Sequence, residues 1–221
     1  MKLKTLIIGS ALAFFALNSC TSEPTEEVET TETETTPEVE AEPVVEASSY
    51  SINTDSSEVT WMGGKVFSDD SHNGTIAIKS GSAIVEGDEL VGGEIVIDMT
   101  QITVLDNTNK EKLVGHLSNG DFFEVETYPE AKFVITSVTE GEITGDLSIK
   151  DSTHSATVPA TITVEEGSVS IEGTLVFDRT KFGVEFGSST ALGAFDKLAG
   201  DLKNKAIKDE IEIGLNIIAT K

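Results

Sequence analysis

The sequence predicts an all-β domain over residues 48–221, built either as a β-sandwich or as a closed antiparallel barrel. Two observations predict it. Apolar residues alternate with polar ones in many short runs, which is the pattern of strands with one buried face. Turns rich in glycine and acidic residues separate these runs, and regular short strands of this kind are typical of sandwiches and barrels. A domain of about 174 residues is also long enough to bury one sizeable core.

The alternating runs predict nine or ten strands. The longest run includes Ile211, Ile213, Leu215, Ile217 and Ala219. The other runs are marked by the pairs Val59/Trp61, Ile76/Ile78, Ile95/Ile97, Phe133/Ile135, Leu147/Ile149, Ile162/Val164, Val169/Ile171 and Leu175/Phe177. The predicted turns lie at residues 69–74, 86–88, 140–141, 165–167 and 186–188.

Two stretches break the alternation. Residues 106–128 are mixed in character and are predicted to form a loop with a short helical turn. Residues 190–206 place Leu192, Phe195, Leu198 and Leu202 at helical spacing, with lysines near the end. This spacing predicts one short amphipathic helix packed on the β domain.

The N-terminal segment has the composition of an export signal followed by a spacer. Lys2 and Lys4 precede an apolar run over residues 6–17, and Cys20 follows a small residue. This arrangement resembles a bacterial lipobox, so we expect residues 1–19 to be a lipoprotein signal peptide and Cys20 to be acylated. The alternative is an ordinary signal peptide with an incidental cysteine. Residues 20–47 contain ten Glu and no Lys or Arg, which predicts a disordered acidic tether.

Composition excludes several kinds of function. The net charge of −24 opposes binding to nucleic acid. A single cysteine cannot form an intramolecular disulfide. His72, His116 and His154 are scattered without metal-ligand spacing, so we expect no metal site. No nucleotide-binding or nucleophile motif is present, and the sequence supports neither a cofactor nor an enzymatic activity.

Arg179 is the one residue whose chemistry is distinctive. It is the only arginine in the sequence, and it directly follows an apolar strand. A permanently charged, planar guanidinium at such a position suggests two roles. Arg179 forms an ion pair with a carboxylate such as Asp121 or Asp178, or it contacts the polar head of a ligand at the barrel mouth.

Aromatic residues cluster in the irregular segment before one strand. Phe122, Phe123 and Tyr128 lie close together in sequence and are followed by Phe133. Rings of this size seldom remain in water. They either form a plug that closes one end of a barrel or line the entrance to an apolar cavity.

Several motifs together resemble the YceI-like family of lipid- and polyisoprenoid-binding proteins. They cover nearly all of residues 48–221. The matching motifs are Tyr50-Ser51-Ile52, Val59-Thr60-Trp61, His72-Asn73-Gly74, Gly81, residues 92–99, His116-Leu117, Asp121-Phe122-Phe123, Tyr128-Pro129, Phe133, residues 145–150, residues 178–184 and residues 207–211.

The resemblance implies a lipocalin-like antiparallel barrel of about eight strands whose apolar lumen holds an isoprenoid chain. The lumen and its mouth would then be formed by Trp61, Ile95, Ile97, Met99, Phe122, Phe123, Phe133, Ile135, Leu147, Phe177, Arg179, Ile213 and Leu215. The alternative is that these side chains simply fill the core. Because the domain is acidic, we expect a neutral head group rather than a diphosphate.

The sequence thus predicts a membrane-anchored lipoprotein of the cell envelope that binds or carries an isoprenoid or similar amphipathic lipid. We expect it in the outer membrane, facing the periplasm or the cell surface. YceI-like domains can pair, so a homodimer is a further implication. The alternative from another class is a structural or interaction lipoprotein with a filled barrel and no ligand.

Overall fold

The computed structural model describes residues 46–188 and 205–221. It has ten strands, one α-helix and two 3₁₀ turns, at Met99–Gln101 and Arg179–Phe182, in these ranges. The strands are β1 (Ala47–Ile52), β2 (Glu58–Gly64), β3 (Ser71–Thr75), β4 (Ala77–Glu86), β5 (Glu89–Asp98), β6 (Glu130–Thr139), β7 (Glu142–Ile149), β8 (Ser152–Glu165), β9 (Ser168–Asp178) and β10 (Glu210–Thr220). The helix is α1 (Lys110–Ser118).

The ten strands form a closed antiparallel barrel of eight long strands, as predicted. Both β1 and β2 pair with β10, β1 near the C-terminal end of β10 and β2 near its start. In the same way, β4 pairs with β1 and β3 pairs with β2. Each pair, β1 with β2 and β3 with β4, is therefore one barrel strand interrupted in the middle. The other six strands follow in chain order, from β5 to β10.

Most of the predicted strand and turn positions agree with the structure. The turns at 86–88, 140–141 and 165–167 connect β4 to β5, β6 to β7 and β8 to β9. The predicted turn at 69–74 is wrong in its second half, because residues 71–74 pair with β2 as part of β3. The strand β1 begins at Ala47, the last residue of the predicted tether.

The two ends of the barrel are different. At one end lie the turns from β4 to β5, from β6 to β7 and from β8 to β9, together with the start of β1 and the end of β10. At the other end lie the connection from β2 to β3, the segment that contains α1, the two-residue turn from β7 to β8, and the start of β10. We call this second end the α1 end. Longer connections and a helix at one end are typical of the side of a barrel where ligands enter.

Two pairs of neighbouring strands in the barrel are hydrogen-bonded along only part of their length. β8 pairs with β9 only between Ala160 and Glu165, opposite Ser168 to Gly173. Nearer the α1 end, residues 152–159 pair with β7 alone, and residues 174–178 pair with β10 alone. The ring of Phe182 occupies this split, with ring centroids 5.5 Å from Phe177 and 5.1 Å from His154. β5 and β6 separate in a similar way at the opposite end.

The α1 helix lies in the segment predicted to contain a helical turn. Asn109 caps its N-terminus, because the side-chain oxygen accepts a hydrogen bond from the Lys112 N–H at 3.1 Å. Leu113 and Leu117 lie one turn apart and pack against the core. The helix predicted at 190–206 falls almost entirely outside the described residues. Within the part of the chain that is described, no helix is long and apolar enough to cross a membrane.

Replacing Gly115 by alanine should stabilise the protein. Gly115 lies inside α1, and a Cβ atom there would meet nothing within 4 Å. Because glycine loses more backbone freedom than alanine in a helix, we expect the free energy of unfolding to rise by about 0.5–1 kcal/mol. Urea denaturation monitored by circular dichroism measures the change. An unchanged or lower midpoint would contradict this expectation.

Candidate functional site

The interior of the barrel contains an apolar cavity of about 330 Å³. It lies toward the α1 end and is lined by inward-facing residues of β2, β5, β6, β7, β9 and β10. Ligand pockets in proteins have volumes of about 300–1,000 Å³ and predominantly apolar walls. The cavity therefore has the size and the surface of a small-molecule site.

The cavity brings together nearly all of the residues predicted from the sequence. Every predicted lumen and mouth residue except Ile135 lines it, from Trp61 on β2 to Leu215 on β10. Cys20 lies outside the described residues. The structure thus places these side chains around one space, and their role in binding a ligand stays a prediction.

Ile135 lines a second, smaller cavity of about 60 Å³. The two cavities share Ile95, Phe133, Val158 and Leu215 as lining residues. These shared side chains therefore separate two parts of one apolar interior.

The aromatic cluster of the 119–129 segment forms part of the cavity wall at the α1 end. Phe122 is buried and Phe123 is half-buried, and both line the cavity. The ring of Phe122 lies 6.4 Å from that of Phe123 and 5.5 Å from that of Phe186, centroid to centroid. Of the two roles suggested by the sequence, the observed position favours lining the cavity entrance.

Arg179 is fully buried and holds two chain segments together. Its Nε and Nη1 atoms donate hydrogen bonds to the carbonyl oxygens of Lys208 and Val184, at 3.0 and 2.7 Å. A third, longer bond of 3.5 Å runs from Nη2 to the carbonyl oxygen of Ile207. The guanidinium also borders the cavity, where its carbon lies 5.9 Å from the centroid of Phe122.

The ion-pair partner of Arg179 is Asp209, not Asp121 or Asp178 as the sequence suggested. Nη2 lies 3.6 Å from the Asp209 Oδ1 atom. Asp178 instead caps the following 3₁₀ turn by accepting a hydrogen bond from the Thr180 N–H. Burial lowers the pKa of Arg179, whereas the charges of Asp209 and Asp178 raise it. Backbone carbonyls take up most of the donor capacity of this side chain.

Charged side chains at the α1 end of the cavity occur as close pairs. The Lys65 ammonium lies 3.0 Å from Asp70, and this hydrogen bond lowers the pKa of the Asp70 carboxyl. His72 Nδ1 lies 3.1 Å from the Asp106 carboxylate, and His116 Nδ1 lies 2.9 Å from the Asp121 carboxylate. Lys65, Asp70, His72 and His116 all line the cavity. The cavity is thus apolar inside and has a polar border.

The Asp106 carboxylate is held in place by several donors. Burial raises its pKa, but the backbone N–H groups of Thr108 and Asn73 and the ring of His72 lower it by more. Its pKa is therefore below the ordinary value.

Sequence reasoning did not place two of the histidines at this cavity. Their separation in the chain suggested no common site, yet His72 on β3 and His116 on α1 line the same cavity. His154 lies elsewhere, and its Nε2 atom is 3.0 Å from the carbonyl oxygen of Lys181. The sequence contained one indication of their importance, because both cavity histidines belong to motifs that carry the family resemblance. Within residues 46–188 and 205–221, no three or more metal-ligating side chains are grouped around one point.

Comparison with known proteins identifies the family. Residues 50–219 match the YceI-like domain. The chain belongs to the YceI-like family. A UPF0312 protein of Staphylococcus aureus strain MRSA252 is 32% identical to this YceI-like chain over 133 residues, which cover 55% of this chain and 75% of the relative.

One solved structure shares the barrel fold. The crystal structure of Burkholderia cenocepacia BcnA superposes with a TM-score of 0.55 at 20% sequence identity, and the match covers 76% of this chain and 99% of BcnA. A Campylobacter jejuni YCEI protein matches with a TM-score of 0.45 at 20% identity, over 66% of this chain and 84% of that protein. At this identity, the similarity to BcnA supports the barrel fold alone.

Proposed function

We propose that this YceI-like protein binds or carries an isoprenoid or a similar amphipathic lipid, with the apolar tail in the barrel cavity. The observation that supports this proposal is the apolar cavity of about 330 Å³. Burying one five-carbon isoprene unit contributes roughly 4 kcal/mol before the cost of ordering the ligand is subtracted. The cavity also favours a ligand-binding protein over a barrel filled by its own side chains.

The proposal includes a position in the cell. An acylated Cys20 would anchor the protein in the membrane, and residues 20–47 would tether the barrel to it. We place the protein in the cell envelope, at the outer membrane, facing the periplasm or the cell surface. A homodimer is compatible with this placement. No part of the proposal requires a cofactor or a catalytic step.

Mass spectrometry of an organic extract from the purified full-length chain tests the tail-binding proposal. We expect an amphipathic lipid, close to one per protein, when the protein is expressed in a bacterium. Because the chain has one tryptophan and Trp61 lines the cavity, added prenol or quinone should also change its fluorescence. An empty extract together with unchanged Trp61 fluorescence would instead support the interaction lipoprotein with no ligand.

A cavity-filling substitution should separate binding in the barrel from binding elsewhere. Ala131 is a small, buried residue of the cavity wall, so Ala131→Phe would direct a ring into the cavity. We expect its bound lipid to fall at least tenfold. Val176 is 50% exposed on the outer wall, and the matched variant Val176→Phe should keep its lipid. Equal lipid content in the two variants would place the ligand outside the cavity.

A further inference from the structure

We propose that His72 and His116 form the head-group end of this site and select ligands whose head group carries a free hydroxyl. This proposal rests on the proposed function for the tail. It adds a binding role for two side chains and a chemical class of head group. The chemistry of two hydrogen-bonded pairs, His72 with Asp106 and His116 with Asp121, supports it. We refer to them as the two His–Asp pairs.

Each His–Asp pair determines which ring nitrogen carries the proton. The Nδ1 atoms of His72 and His116 lie 3.1 and 2.9 Å from carboxylate oxygens. An ionised carboxylate can only accept a hydrogen bond, so Nδ1 must be the donor in both rings. In a neutral imidazole the other nitrogen, Nε2, then has a free lone pair and acts as an acceptor.

The two Nε2 atoms remain available to a ligand. Within the described parts of the chain, neither ring forms a further hydrogen bond besides the one to its aspartate. Both residues line the cavity, and their side chains are 36% and 41% exposed. The apolar cavity therefore has two imidazole acceptors at its border.

The surrounding residues hold both rings in place. His116 stacks on Phe186, with centroids 6.3 Å apart and an angle of 27° between the ring planes. His72 lies directly opposite Gly63 in the pairing of β3 with β2. The Asp106 carboxylate is itself fixed by the N–H groups of Thr108 and Asn73. Asp106 and Asp121 are thus positioning residues for the two acceptors.

The charges at this border disfavour a phosphate head group. The Lys65 ammonium is paired with Asp70, and the Arg179 guanidinium is paired with Asp209 and bonded to backbone carbonyls. A phosphate would therefore meet carboxylates as well as cations. An acceptor nitrogen also bonds a hydroxyl, which donates, better than a quinone carbonyl, which can only accept. A neutral hydroxyl, as in an isoprenoid alcohol or a hydroquinone, is a donor that suits both nitrogens.

The selection is tested with ligands that share one tail and differ only in the group that replaces the hydroxyl hydrogen. The full-length protein is titrated with each ligand at pH 8, and Trp61 fluorescence is followed. The ligands are a short-chain prenol, its methyl ether and its monophosphate. We expect the prenol to bind about tenfold more tightly than the ether, the scale of one net hydrogen bond. A hydroquinone with the same tail and its dimethyl ether show whether the alcohol or the quinol is preferred.

The double variant His72→Phe/His116→Phe assigns the selectivity to these rings. We expect the prenol and the ether to bind the double variant within about twofold of each other, because the hydroxyl then has no imidazole acceptor. His154→Phe is the matched control, because His154 does not line the cavity, and it should keep the tenfold preference. Equal binding of prenol and ether to the unmodified protein would overturn the head-group proposal alone, as would tighter binding of the monophosphate or selectivity that survives in the double variant. Binding of no ligand at all would overturn the tail-binding proposal as well.

Discussion

Replacing Arg179 by methionine should lower the free energy of unfolding by about 3–5 kcal/mol, because breaking a buried charge pair leaves its partners without compensation. Arg179 is 0% exposed. Its removal would leave the Asp209 carboxylate and the carbonyl groups of Val184 and Lys208 without this donor. Guanidinium denaturation followed by Trp61 fluorescence measures the loss.

The neighbouring Lys181 provides a matched control for Arg179. Lys181 lies in the same 3₁₀ turn but is exposed, so Lys181→Met should change stability by less than about 0.5 kcal/mol. Arg179→Lys should also be destabilising, because an ammonium cannot reproduce the planar arrangement of donors. If Arg179→Lys folds with normal stability but loses bound lipid, the arginine acts on the ligand and the structural interpretation is wrong.

Gly74→Ala should have a similarly large effect, with a loss of about 3–5 kcal/mol from overpacking and a broken hydrogen bond combined. A Cβ atom at Gly74 would lie 1.8 Å from the carbonyl oxygen of Thr103 and 2.6 Å from Trp61 Nε1. These two atoms form a hydrogen bond of 2.9 Å. The new methyl group would push them apart and displace Trp61 from the cavity wall.

Two measurements check the Gly74 variant. Its midpoint in denaturant should fall, and its Trp61 emission should shift because the indole loses its N–H partner. Gly120→Ala is the control, since a Cβ atom there would meet nothing within 4 Å and its stability should stay within about 0.5 kcal/mol. Normal stability of Gly74→Ala would show that the Thr103 segment moves aside at little cost.

The sequence predicted the strands well because alternation reports which face of a strand is buried. The run from Ile211 to Ala219 became β10, and Val59 and Trp61 became inward-facing residues of β2. Alternation carries no information about pairing partners, so it could not distinguish a barrel from a sandwich. It also could not show that β1 and β2 form one interrupted strand, because that depends on their shared pairing with β10.

The site was predictable only in part. The alternation of apolar and polar residues identifies inward-facing residues such as Ile97 and Ile213. However, strands around a cavity and strands around a filled core show the same alternation. The partner of Arg179 was missed because Asp209 is distant in sequence and is brought close only by the pairing of β9 with β10. His72 and His116 were missed for the same reason, since the closure of the barrel places β3 and α1 around one cavity.

The split between β8 and β9 determines how the barrel can deform. Widening a fully paired barrel would break backbone hydrogen bonds, but near the α1 end residues 152–159 and 174–178 share no such bonds. In this half the two strands are joined through side chains, chiefly the contacts of Phe182 with Phe177 and His154. The wall can therefore expand there by repacking one aromatic ring. The barrel can therefore accept ligands that are larger than the cavity in this structure.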